Sequence, residues 1–198
     1  MEKLLSKNRL ETLSDGVFAI IITIQVFDIK IPQNISLKGS IIEGVMSLFP
    51  QIISWIPSFF ILIVVWLNHN RLFSKIEVVD TKFIILNCGF LLFVSLVPVP
   101  VSLIAKFFPD PVPLAIFGAW MSLTSVSLSL LRLYLSKSKT LVTNSEVRKS
   151  LLSGVKSSFI FGPILYLTGA GISFMNFFAG IIVFTIVPVY FLFSKETK

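Results

Sequence analysis

Apolar and polar positions follow one another in long blocks along this chain, and six apolar stretches stand out, at about 13–31, 50–67, 83–108, 114–135, 157–172 and 174–193. Each is close to the ~20 residues with which an α-helix crosses the hydrocarbon core of a bilayer. The pattern predicts an all-α integral membrane protein in which residues 1–198 form a single six-helix transmembrane domain. The intervening segments are too short to hold a separate aqueous domain.

The first stretch is the least uniform. From Val17 to Ile31 it is apolar except for Thr23, Gln25, Asp28 and Lys30, too polar for a helix wholly surrounded by lipid. At about 100° per residue, Gly16, Ile20, Thr23, Ile24 and Phe27 share one stripe, while Ser14, Asp15, Ile22 and Gln25 point elsewhere. The helix therefore has two tasks. Its stripe lines a shared axis, and its other face is pinned to neighbouring helices through Ser14, Asp15 and Gln25.

Breakers set the remaining boundaries. Pro32 ends the first span, and Gln33 to Phe49 has the spacing of a short amphipathic helix on the membrane surface. Pro50 suits a helix start and Pro57 a kink in the second span, which finishes in WLNHNRLF, Trp66 to Phe73. Pro98 and Pro100 interrupt the third span where no water can replace lost backbone partners, so neighbouring helices must absorb the break. After PDPVP, Pro109 to Pro113, the fourth span carries MSLTSVSLSL, a serine-rich run suited to close helix approach. Ser136 to Lys156 reads as a polar, basic loop or interfacial helix, and GAGISF joins the last two spans tightly.

Composition agrees with this picture: 55% of residues are hydrophobic and 14% charged, and the mean hydropathy is +0.90. MEKLLSKNRLETLSD lacks the short apolar run and small-residue cleavage site of a secretory signal, so the first apolar run is expected to be retained as a span. A net charge of +7 invites a nucleic-acid reading, but the basic residues do not gather into one stripe with interleaved aromatics. They report topology instead. With six spans, fourteen of the Lys and Arg residues fall on one side and only Lys30, Lys38 and Lys106 on the other, which predicts cytoplasmic termini and a multi-pass protein of the cell membrane. The single cysteine, Cys88, excludes an intrachain disulfide and reads as a small core residue.

Few residues could carry chemistry. Ser14 or Asp15 could simply cap a helix N-terminus. The sharper reading joins Arg9, Ser14 and Asp15 to Trp66, His69 or Asn70 in a buried polar network. His69 is the sole histidine and shares a helical face with Trp66, but no further ligands accompany it, so metal catalysis is not expected. No nucleophile motif lies beside it, and the chain does not read as an enzyme. Thr23 could bond back to its own helix or contribute to a ring of hydroxyls in a narrow apolar pore. There is no TVGYG-like run for a carbonyl filter, so any ion selectivity would rest on side chains and pore width.

Arg9, Leu13, Ser14 and Asp15, followed by GVFAI and DIKIP, resemble the RxxxFSD signature of the transmembrane protein 175 family of potassium channels, with Leu13 where the signature has Phe. WLNHNRLF and FLLFVSLVPVP resemble two further blocks of that family. The resemblance implies a channel without re-entrant pore loops, with the first helix of each subunit lining the conduction path. Animal members look like two six-helix repeats assembled as dimers, so one repeat implies a homotetramer. The family's constriction carries over to Ile20, with Ile24 and Phe27 further along the gate and Thr23 beside it as a selectivity contributor. Its polar partners carry over to Trp66 and His69. The implied function is passive, modestly selective potassium flux with potassium as the permeant ion, no cofactor, and partners limited to the bilayer and other copies of the chain. A secondary transporter of a cation or small solute is the alternative, although neither internal repeats nor a midplane acid is visible.

Overall fold

The structure, a computed structural model, describes residues 5–30 and 41–193. The elements run β1 (Leu5–Ser6), α1 (Lys7–Ile24) with a 3-10 turn over Gln25–Asp28, α2 (Ile41–Met46), α3 (Phe49–Phe73), β2 (Val78–Val79), α4 (Thr81–Ser95), α5 (Pro98–Lys106), α6 (Pro111–Lys137), α7 (Ser145–Ser173) and α8 (Phe177–Phe193). Five helical runs are long and apolar enough to cross a membrane, and α8 adds a shorter apolar helix. Residues 33–40 of the expected surface helix, Pro32 and the tail from residue 194 lie outside the described residues.

Several boundaries differ from the sequence expectation. The first helix begins at Lys7 rather than near residue 13, because Lys7, Arg9 and Glu11 are compatible with a helical turn and Lys7 reaches Glu11 at 3.7 Å. Ser14 and Asp15 are thus mid-helix, which removes the N-terminal capping reading. The second span runs on through WLNHNRLF to Phe73, and α7 begins at Ser145, well before residue 157. Asn144 starts α7 by accepting from the Glu146 and Val147 amides, at 2.9 and 3.4 Å, so its polar first turns are helix rather than loop.

The proline break lies where expected. Helix α4 stops at Ser95 and α5 restarts at Pro98, with Trp120 on α6 donating its indole N–H to the Phe93 carbonyl at 2.8 Å. A neighbouring helix thus supplies a donor to the turn before the break. Asp80 fixes the start of α4, accepting from the Phe83 amide (2.8 Å) and from the Tyr134 hydroxyl on α6 (2.7 Å).

Contacts sort the helix ends onto two levels. On one, β1 pairs antiparallel with β2, Lys7 donates to the Phe73 carbonyl, and Tyr134 reaches Asp80. On the other, Gln51 bonds both backbone groups of Lys30 (2.6 and 3.0 Å), while Phe108 packs on Phe49 and Phe177. The alternation of the spans and the grouping of basic ends follow from these pairings. In the core, Phe18, Ile61, Leu62, Phe73, Phe83 and Phe90 are fully buried between α1, α3 and α4. Packing among α6, α7 and α8 depends on glycine: a Cβ at Gly118 would meet the Tyr166 carbonyl oxygen at 2.7 Å and the Phe184 ring at 2.9 Å.

Candidate functional site

Helix α1 presents two faces of opposite character. Leu10, Ser14, Phe18, Ile21, Ile22 and Gln25 are buried against α3 and α4. The opposite face leaves Leu13, Gly16, Ile20, Thr23, Ile24 and Phe27 exposed, with Ile20 at 61% and Phe27 at 72%. All five residues of the stripe read from periodicity therefore share one uncovered face. Uncovered isoleucine and phenylalanine on a membrane-crossing helix suit contact with lipid and with another helix alike, as the exposed Ile85 and Ile182 on other helices illustrate.

The buried face is held by three separate sets of polar bonds. Asn87 on α4, within the apolar run FIILNCGF, donates its amide to Ser14 Oγ (3.0 Å) and places its carbonyl 2.8 Å from His69 Nε2. Ser14 donates onward to the Leu10 carbonyl at 2.8 Å. Three helices are joined by this chain, and Ser14, His69 and Asn87 are all buried. The imidazole lies parallel to the Phe90 ring, with centroids 5.2 Å apart, and packs on Phe73 at 4.4 Å.

The second set is the Trp66 indole N–H donating to Asp15 Oδ1 at 2.9 Å, a charge-assisted bond between α3 and α1. A third tie lies one helical stretch further on, where Ser58 donates to Gln25 Oε1 at 2.6 Å. Ser14, Asp15 and Gln25 are thus the three pins expected from the sequence. Each engages a different partner, and together they fix the rotation of α1 about its own axis.

The expected single network is revised in two respects. His69 is bonded to Asn87, which in turn donates to Ser14, rather than to Asp15, whose Oδ1 accepts from Trp66. Arg9 is exposed and makes no hydrogen bond or ion pair among the described residues, and Asn70 is outside the network. Asn87 was not among the expected members, although an asparagine between Leu86 and Cys88 in an apolar span is itself a sign of an interhelical bond. Thr23 donates to the Ala19 carbonyl at 2.7 Å, so its proton is spent within the helix while the oxygen keeps acceptor capacity. Among the described residues no three His, Cys, Asp or Glu side chains gather into a metal site.

Comparison with known proteins finds similar chains. Residues 9–98, which include most of α1 and the three pins, match the model of the endosomal/lysosomal potassium channel TMEM175. A potassium channel of Chamaesiphon minutus is 29% identical over 187 residues, covering 92% of each chain. A potassium channel of Streptomyces collinus is 32% identical over 122 residues, 62% of this chain and 59% of that one. The crystal structure of a lysosomal potassium-selective channel TMEM175 homolog from Chamaesiphon minutus superposes with a TM-score of 0.82 at 28% identity, over 97% of this chain and 98% of that one.

Proposed function

We propose that this chain is a member of the endosomal/lysosomal potassium channel TMEM175 family and a potassium channel of the cell membrane, assembled as a homotetramer with α1 of each subunit around the axis, a reading supported by the match over residues 9–98 and by the likeness to the Chamaesiphon minutus channel. Its relatives are ion channels and not enzymes. The observation that carries the reading is the uncovered stripe Gly16, Ile20, Thr23, Ile24 and Phe27 on a helix whose other face is pinned. Residues 1–198 act as one six-span channel domain, with the fourteen-residue basic side and both termini in the cytoplasm.

In this assembly four copies of Ile20 form the constriction. An apolar ring of small radius expels water, since water entering it gives up hydrogen bonds that the wall cannot replace, and ions pass when the helices splay or rotate. Ile24 and Phe27 continue the apolar wall. Thr23 Oγ1 offers an acceptor one turn from the ring. A weakly coordinating path of this kind discriminates by dehydration cost, which is lower for potassium than for sodium, and so gives a modest preference.

The test is a reversal potential. With potassium on one side of a reconstituted bilayer and sodium on the other, the purified protein should give a current that reverses on the potassium-selective side of zero. Thr23→Ala should move that potential toward zero with less change in current, because it removes an oxygen and leaves the narrowest ring intact. A current that depends on a co-transported solute would favour the transporter reading instead.

A further inference from the structure

Away from α1, a groove of about 260 Å³ opens between α3, α6 and α7. This is far more than the ~30 Å³ share of one water. Its lining includes two arginines, Arg71 on α3 and Arg132 on α6, and no acidic residue. Hydroxyls of Ser129, Ser157 and Ser158 also line it, while Leu128 and Phe161 form an apolar wall. Both arginines lie near the C-terminal ends of their helices, at Phe73 and Lys137, on the level where the basic ends group.

The sequence builds this groove at one further point. Arg132 crosses to α7 and donates through Nη1 to the Gly154 carbonyl at 3.4 Å. A Cβ at position 154 would meet that same nitrogen at 2.6 Å, so glycine leaves the room that the guanidinium occupies. An arginine on a membrane-crossing helix that faces a polar cavity marks a functional site more often than a structural accident.

We propose that this groove is a binding site for the phosphate headgroup of an anionic phospholipid. The two guanidiniums face the phosphate oxygens, and the proximal acyl chain lies along Leu128 and Phe161. Charge-assisted, forked hydrogen bonds from arginine suit phosphate oxygens, and basic pockets between spans at the cytoplasmic level fit lipid headgroups. A lipid rather than a free anion is favoured because one wall is apolar and Phe161 is 57% exposed at its rim.

Native mass spectrometry of the full chain in mild detergent tests the site, with phosphatidylglycerol, phosphatidylcholine and inorganic phosphate as probes. Phosphatidylglycerol should be retained over phosphatidylcholine. Its apparent affinity should fall about tenfold in an Arg71→Gln/Arg132→Gln double variant, as expected for lost charge-assisted bonds. A Lys149→Gln/Lys156→Gln variant, altered outside the groove lining, should bind as the parent does. Should the arginine variant fail to fold, a photoactivatable phosphatidylglycerol on the parent protein should label peptides spanning 124–132 and 157–166. Equal retention of the two lipids, equal loss in the lysine variant, competition by millimolar inorganic phosphate, or labelling confined to other helices would each overturn the proposal.

Discussion

Asn87 is the residue on which the pinned face of α1 turns, because its one side-chain amide satisfies groups on two other helices. Asn87→Leu leaves both Ser14 Oγ and His69 Nε2 without this partner inside a dry contact, and a buried group so stranded costs about 1–3 kcal/mol. The protein should then melt at lower temperature and lose oligomer in mild detergent, read by thermal unfolding and size-exclusion chromatography. Trp66→Phe is a narrower change, removing only the donor to Asp15 while keeping an aromatic ring. A loss of about 1.5–3 kcal/mol is expected for a bond to a charged acceptor, and a melt equal to the parent's would show that Asp15 is solvated instead. Much of this face was legible from residue type alone: Ser14, Asp15 and Gln25 stood out as polar positions in an apolar run. Their partners were not, since Ser58 and Asn87 lie 33 and 73 positions away from Gln25 and Ser14 and periodicity within one helix carries no information across that distance.

At the scale of the helices, the period of α1 was readable because its two faces differ in chemistry. The starts of α1 and α7 were not. Lys7, Arg9 and Glu11, and likewise Glu146, Arg148 and Lys149, resemble loop composition, yet they occupy helical turns stabilised by the i,i+4 pair Lys7–Glu11 and the i,i+3 pair Glu146–Lys149. Hydropathy finds where lipid begins, not where the helix does. The break between α4 and α5 could be placed because proline removes a donor, but the identity of the helping residue, Trp120, depends on packing. Close approach of α6 and α7 gives this scale its own test. Gly118→Ala would drive a methyl against the Tyr166 carbonyl, which cannot rotate away as a side chain could, so a destabilisation of about 1–3 kcal/mol is expected by thermal melt. No change would mean that the two helices shift apart freely.

For the whole molecule, the proposed assembly sets the uncovered stripe on α1 beside other copies of itself. A cysteine at Ile20→Cys, in a Cys88→Ser background, should cross-link subunits under mild oxidation, whereas the same change at Ile22, which is buried within the subunit, should not. Equal cross-linking at both positions would remove the stripe from the axis. The most direct measurement is bilayer recording of Ile20→Asn against the parent under opposed potassium and sodium. Asparagine offers hydrogen bonds to water where isoleucine offers none, so the pore assignment predicts a larger leak current and a reversal potential moved toward zero. Unchanged current with an unchanged reversal potential would contradict it.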